Sequence, residues 1–173
     1  NPQGFDLLPL RVHSLIHARL NKLNAQAREL AQGLSVLGDD TGIDFLAAFT
    51  GLSRHALETQ LSELQLLGFV RIQGGATVRF CHAILADACL TTIPQPRRRD
   101  LHLRAIEAAL SRNEGHRHDF LAHHYEGAEQ YLEAIECLWK AGLQARRTSA
   151  MGSLQRIVTR AFICIEKAGA KGS

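Results

Sequence analysis

Two short runs of alternating apolar and polar residues, separated by a glycine-rich turn, most strongly limit what this chain can fold into. The runs are Phe69–Gln73 and Thr77–Phe80, and the residues between them are Gly-Gly-Ala. Such a pattern is typical of a β-hairpin. A three-residue loop pairs Val70 with Phe80 and Ile72 with Val78 and puts all four on the buried face, whereas a two-residue loop would place Val70 opposite Arg79. The sequence therefore predicts a hairpin with the longer loop.

The residues before the hairpin show helical periodicity. Apolar side chains recur at helical spacing in four segments, and a short turn ending in Ser53, a good N-cap, separates the last two. Gly68 stands where the residue after a helix is expected. We expect helices over residues 9–24, 25–37, 42–50 and 53–67. With the hairpin as a wing, they predict a mainly α fold that contains a winged helix-turn-helix.

The rest of the chain is predicted to be helical, in segments running from near residue 82 to just before Pro94 and over 96–112, 116–127, 131–147 and 153–167. Its small and large residues follow the spacing of one TPR-like unit. The packing positions are Leu121, Ala122, Tyr125, Ala134, Leu138 and Ala141. The predicted domains are a winged helix over 1–93, a connecting helix over 94–112 and an incomplete TPR-like repeat of helical hairpins over 113–173. Because such stacks need about three units, we expect the native chain to continue.

The charge distribution argues against DNA as the main partner. The first 93 residues carry seven Lys/Arg against eight Asp/Glu, whereas the remainder carries thirteen against nine. In a DNA-binding winged helix the recognition helix would be 53–67, in which one arginine accompanies two acids. This segment is poorly equipped to approach phosphates. Anion or DNA contact through Arg54, Arg71 and Arg79 is kept as an alternative.

The chain has no motif for catalysis or for membrane insertion. It lacks the G-x-x-x-x-G-K-[ST], G-x-S-x-G and H-E-x-x-H patterns, so we expect no ATP hydrolysis or other catalysis by this chain. No run of ~20 apolar residues is present. The four scattered cysteines suit reduced thiols in a cytoplasmic protein. A non-enzymatic cytoplasmic protein without a membrane partner is therefore expected.

Histidines are frequent, but their spacing matches no compact zinc motif. The potential ligands that lie within 22 residues of one another are His116, His118, His123, His124 and Cys137. We expect no metal site and interpret these histidines as surface residues near the start of a helix. His13 and His17, four residues apart, are interpreted as ordinary surface or half-buried side chains.

Candidate anion contacts lie around the hairpin. In the predicted register Arg71 faces Arg79, and opposed like charges destabilise a ladder. A carboxylate or a phosphate would relieve this repulsion, as would splaying of both side chains into water. His82 stands where the second strand turns into a helix, whose first N–H groups favour a phosphate. On position alone, a capping or core role for His82 is the simpler interpretation.

The stretch from Val78 to Leu85 resembles the "strand, Arg-Phe-x-His, apolar helix" signature of the winged-helix domain in STAND-type signalling ATPases. Segments 15–23 and 49–68 resemble the helix that leaves the ATPase lid and the helix-turn-helix of that family. Segment 121–142 resembles the first TPR-like unit that follows. The resemblance spans nearly the whole chain, and the order of its segments is its most specific feature.

The resemblance implies a regulatory role. In that family an ATPase module precedes this region, and the parent proteins carry LuxR-type DNA-binding ends or class III adenylate cyclase domains. The winged helix folds onto bound ADP and locks the resting state. The signature histidine contacts the β-phosphate, which assigns that role to His82, with Arg79 as a second candidate. Eukaryotic relatives have Met-His-Asp where this chain has Cys81-His82-Ala83, and Asp87 is the candidate for the displaced acid.

The resemblance also implies the cofactor and the partners. ADP or ATP would bind in the parent protein and not in this chain alone. The expected partners are the ATPase module, a C-terminal effector or further repeats of the same chain, and other proteins that bind the TPR-like helices. A protein-interaction scaffold without any nucleotide role is the third alternative.

Overall fold

The structure, a computed structural model, describes residues 15–16, 18–38, 40–115, 117–148 and 150–171. Within them the chain is mainly helical with one small antiparallel sheet, which confirms the predicted fold class at this level. Residues 18–20 are helical and residues 21–23 are not, so the first predicted helix ends before residue 21 and not at residue 24. His13, His17 and the start of that helix lie outside the described residues. The elements that follow are α1 (Ala25–Leu37), β1 (Thr41–Gly42), α2 (Ile43–Thr50), α3 (Arg54–Leu66), β2 (Val70–Gln73), β3 (Thr77–Phe80), α4 (Ala83–Thr91), α5 (Gln95–Ser111), α6 (His118–Gly127), α7 (Tyr131–Arg147) and α8 (Met151–Lys171).

The chain divides into two compact units, Asn1–Pro94 and Gln95–Ser173. The first contains the sheet and α1 to α4. The second contains α5 to α8, so α5, predicted as a connecting helix, is part of the second unit. None of the described helices is long and apolar enough to cross a membrane.

The hairpin of β2 and β3 forms in the predicted register. Val70 pairs with Phe80, and Ile72 pairs with Val78. Three of these side chains are buried, while Ile72 is only half-buried, which corrects the prediction that all four would be buried. The sequence also missed β1, which pairs with β3 and gives the sheet order β1-β3-β2. A strand of two residues is too short to show alternation.

Helix α3 begins and ends near the predicted signals, and α1 has an N-cap that was not predicted. The Ser53 hydroxyl accepts a hydrogen bond of 3.3 Å from the N–H of Ala56 and caps α3. Gly68, two residues after α3, has φ of 66°, a conformation that costs glycine little. Asn24 caps α1 in the same way, through its Oδ1 and the N–H of Ala27 at 2.8 Å. These caps satisfy backbone donors that a helix start leaves unpaired.

The helices of the second unit pack consecutively, α5 on α6, α6 on α7 and α7 on α8. Five of the six predicted packing positions are buried, and Tyr125 is half-buried. Arg160 of α8 is ion-paired with Glu126 of α6 at 2.9 Å and also with Asp119. Helix α8 is longer than the predicted 153–167, and Gly152 and Gly169 lie within it.

Replacing Gly33 in α1 with alanine is expected to destabilise the first unit. A Cβ at this position would lie 2.7 Å from Cε1 of Phe49, whose side chain is buried. Alanine favours a helix over glycine by about 1 kcal/mol, whereas crowding a core side chain costs about 1–3 kcal/mol. We therefore expect the free energy of unfolding in urea to fall by roughly 1 kcal/mol.

Gly142→Ala in α7 is the matched control. Its Cβ would meet Ile157 and Leu154 at 3.7 and 3.8 Å, which is ordinary contact, so stability should rise by up to about 1 kcal/mol. If Gly33→Ala were equally stabilising, the packing of Phe49 against α1 would be wrong.

Candidate functional site

His82 occupies the junction between β3 and α4. The N–H of Cys81 donates to the Phe69 carbonyl at 2.9 Å, which continues the hairpin one residue beyond β3 and fixes the backbone before His82. His82 is the N-cap residue of α4, with φ of −144° and ψ of 138°, but its side chain makes no capping hydrogen bond. The side chain is exposed. His82 therefore fills neither the capping role nor the core role.

The start of α4 also lacks a compensating acid. Its first turn contains no acidic side chain, although a helix N-terminus carries partial positive charge and favours anions. Ala83 and Ile84, which open the helix, are exposed like His82. Asp87 is exposed in the next turn. A group bearing negative charge could thus approach the helix start and the imidazole together.

Arg79 is paired with a carboxylate. Its Nε lies 3.4 Å from Oδ1 of Asp40, just before β1. Arg71 and Arg79 face each other across the hairpin as predicted. Their repulsion is relieved by Asp40, which precedes the strand β1 that the sequence did not predict. Arg71 is exposed. Of the two arginines, Arg79 is therefore the less available for a phosphate.

The polar residues of α3 largely serve contacts within the first unit. Arg54 is ion-paired with Asp44 at 3.0 Å and with Glu58 at 2.7 Å. Gln60, which a DNA-binding α3 would have to expose, is buried and donates from Nε2 to Oε1 of Gln26 at 3.0 Å. The only Lys or Arg of this helix is thus already neutralised.

The second unit contains a buried histidine pair that the sequence did not predict. The Nδ1 atoms of His102 in α5 and His124 in α6 lie 2.9 Å apart. His124 is fully buried and His102 is 6% exposed. The interpretation of the 116–124 histidines as surface residues is therefore wrong for His124, whereas His123 is exposed.

The remaining histidines do not extend the pair into a metal site. His118 is half-buried, and His116 lies outside the described residues. Among the residues that the structure describes, no three potential ligands are grouped to hold a metal ion. Cys137, the cysteine that is nearest to these histidines in the sequence, is a buried free thiol of α7.

Burial keeps both rings of the pair neutral. The pKa of His124 is lowered to about 2, mainly by desolvation and to a lesser extent by the nearby His123 and His102. The pKa of His102 is lowered to about 4, mainly by desolvation and to a lesser extent by His123 and Arg98. Two neutral rings satisfy the contact when the Nδ1–H of one ring donates a hydrogen bond that the unprotonated Nδ1 of the other accepts. Further protonation is opposed because Nε2 of His124 is buried without a hydrogen-bond partner.

The pair also requires a glycine beside it. A Cβ at Gly127, the last residue of α6, would lie 2.3 Å from the ring of His102. The closeness of the ring to the α6 backbone thus depends on the missing side chain. Gly127 and the two histidines together fix how α5 lies against α6.

The stability of the chain is expected to fall as the pH drops below 6.5. Both folded-state pKa values lie below the ordinary value of 6.5, so the unfolded chain takes up protons that the folded chain does not. This penalty is absent above pH 6.5 and grows as the pH falls towards 4 for His102 and towards 2 for His124. Each such proton adds a slope of roughly 1.4 kcal/mol per pH unit. Urea unfolding between pH 7 and pH 5 measures the slope.

His124→Asn is the informative variant, since it keeps an amide near the position of Nδ1 and removes the titrating ring. Its stability at pH 7 is expected to be lower, but its slope between pH 7 and pH 5 should be shallower. The control is His55→Asn on the exposed surface of α3, which should leave the slope unchanged. An unaltered slope in His124→Asn would contradict a neutral buried pair.

A scan against models of protein families gave no match for this chain. A search of curated proteins gave no match either.

Proposed function

We propose that the first unit is a winged helix-turn-helix that senses the nucleotide bound to an ATPase module of its parent protein. The observation that carries the proposal is the exposed, uncapping His82 at the start of α4. The element order of the first unit and its sheet order β1-β3-β2 support the assignment of a winged helix. In it, α2 and α3 form the helix-turn-helix, and the hairpin of β2 and β3 is the wing.

The phosphate contact would combine two kinds of donor. The first N–H groups of α4 are oriented along the helix axis and favour an anion. The imidazole of His82 can donate a further hydrogen bond to the same group. The hairpin holds the backbone at this junction, so that a bound β-phosphate would couple the nucleotide to β3. Arg79, already paired with Asp40, would contribute at most a more distant charge.

The second unit would relay the nucleotide state. We propose that α6 and α7 form a TPR-like unit whose buried small residues bring the helices close, and that α8 begins the next layer. Ala122 and Ala134 are fully buried and Ala141 is nearly so, which supports close packing of this kind. The relay would reach an effector of the parent protein, such as a DNA-binding or cyclase domain, or another protein.

DNA binding by the first unit is the weaker alternative. Arg54 is neutralised by two acids and Gln60 faces α1, so α3 offers a duplex no unpaired Lys or Arg. Affinity for DNA depends largely on such cations. A protein-interaction scaffold without nucleotide sensing is the other alternative. In a scaffold, His82 would have no function, and its replacement would have no effect.

Replacing His82 with alanine in the parent protein tests the proposal. Loss of one hydrogen bond to a charged group costs about 1.5–3 kcal/mol, so the Kd for ADP is expected to rise roughly 10- to 100-fold. Basal output should rise with it, because the resting state is less stable. Both are measured by ADP titration and by the activity of the effector.

His55→Ala is the matched control, because His55 is also an exposed histidine of the first unit but lies on α3. It should change neither ADP affinity nor output. If His82→Ala behaved like this control, the scaffold interpretation would replace nucleotide sensing.

A further inference from the structure

Helix α8 has two apolar stripes, and only one of them is covered. The covered stripe includes Ile157 and Cys164, which are buried. The second stripe consists of Val158, Phe162 and Ile165, which are 46%, 65% and 53% exposed. Their spacing of four and three residues places them on one side of the helix. A surface helix normally needs one apolar stripe, so the second indicates a missing neighbour.

Helix α7 provides the other side of the same surface. Trp139 is 69% exposed and Leu143 is 37% exposed. Together with Leu154 and Val158 of α8 they line a hollow of about 220 Å³ between the two helices, which we call the α7–α8 groove. Single exposed apolar residues are ordinary, but a contiguous patch of them marks an interaction surface.

The shape of the groove suits a helix. Its walls are two packed helices, and its exposed side chains recur at helical spacing along both of them. An amphipathic helix placed in such a groove inserts side chains at positions i, i+3, i+4 and i+7. The ring of Trp139 lines the groove, and that of Phe162 lies outside the lining, one helical turn beyond Val158 on the same exposed stripe. The two rings would provide the large contact areas that dominate binding at such interfaces.

One end of the groove is positively charged. Arg146 lines the groove, and Arg147 lines a neighbouring hollow that shares Leu143 with it. Both arginines are exposed, and neither is ion-paired among the residues that the structure describes. Lys140, in contrast, is paired with Glu136 at 2.6 Å. The C-terminal dipole of α7 stabilises the two arginines but leaves their guanidinium donors available to carboxylates.

We propose that the α7–α8 groove binds an amphipathic helix of a partner protein, with an acidic end against Arg146 and Arg147 and an apolar stripe over Trp139, Val158 and Phe162. Such a helix would be the partner to which the second unit relays the nucleotide state, so this inference rests on the relay role proposed for that unit. The charge of the groove selects an acidic helix over a basic one, and its apolar walls supply the affinity.

Trp139 gives a direct test because it is the only tryptophan of the chain. The probes are two synthetic helical peptides with the same leucine stripe, one with glutamates and the other with lysines in its terminal turns. The glutamate peptide is expected to shift the emission of Trp139 to shorter wavelength and to bind at least about tenfold more tightly. Added salt should reduce this difference.

Variants of the groove identify the contacts. Phe162→Ala should weaken binding of the glutamate peptide by about tenfold or more. The double variant Arg146→Glu and Arg147→Glu should prefer the lysine peptide, and this reversal cannot come from unfolding. Leu66→Ala is the control, since Leu66 is an 87% exposed leucine of the first unit and should have no effect.

Equal affinity for the two peptides, or no shift of Trp139, would overturn the proposal. So would a shift that grows with protein concentration in the absence of peptide, because it would show that a second copy covers the groove. No nucleotide enters these measurements. A failure here is therefore distinguishable from a failure of the His82 experiment, which tests the first unit.

Discussion

The register between β2 and β3 is the constraint on which the first unit depends. Pairing Val70 with Phe80 directs both side chains into the core and turns the arginines outward. A slip by one residue would exchange the two faces. The same register brings Cys81 to the carbonyl of Phe69 and so determines where α4 begins. The position of His82 is thus a consequence of the hairpin and not of the helix that it precedes.

The second unit is built on a different principle. Alanines occupy many of its buried positions, beside leucine, isoleucine and cysteine, and its buried polar side chains among the described residues are those of His102 and His124. A buried polar group is costly unless it is hydrogen-bonded, and the contact between the two rings satisfies both Nδ1 atoms but leaves Nε2 of His124 without a partner. Apolar side chains of α7 and α8 are left exposed, whereas the exposed residue of interest in the first unit is the polar His82.

Local signals could be predicted from the sequence, and distant contacts could not. The hairpin, the caps at Ser53 and Gly68 and the bounds of α7 follow from residues close together in the chain. The pairing of Arg79 with Asp40 depended on a two-residue strand that has no recognisable period. His102 and His124 lie 22 residues apart on different helices, and neither spacing nor composition relates them. The exposure of His82 required knowing which way the junction faces.

The contact between His102 and His124 is expected to make the two positions covary in evolution. Replacing one ring alone leaves the other with a buried nitrogen that has no partner, which lowers the stability of the fold. Replacing both rings with apolar residues removes that unpaired nitrogen, so the double change costs less stability than the two single changes added together. An apolar residue at one position is tolerable only with an apolar residue at the other. Descendants of this sequence should therefore carry both histidines or neither. Gly127 would be released from its constraint only in lineages that had lost His102.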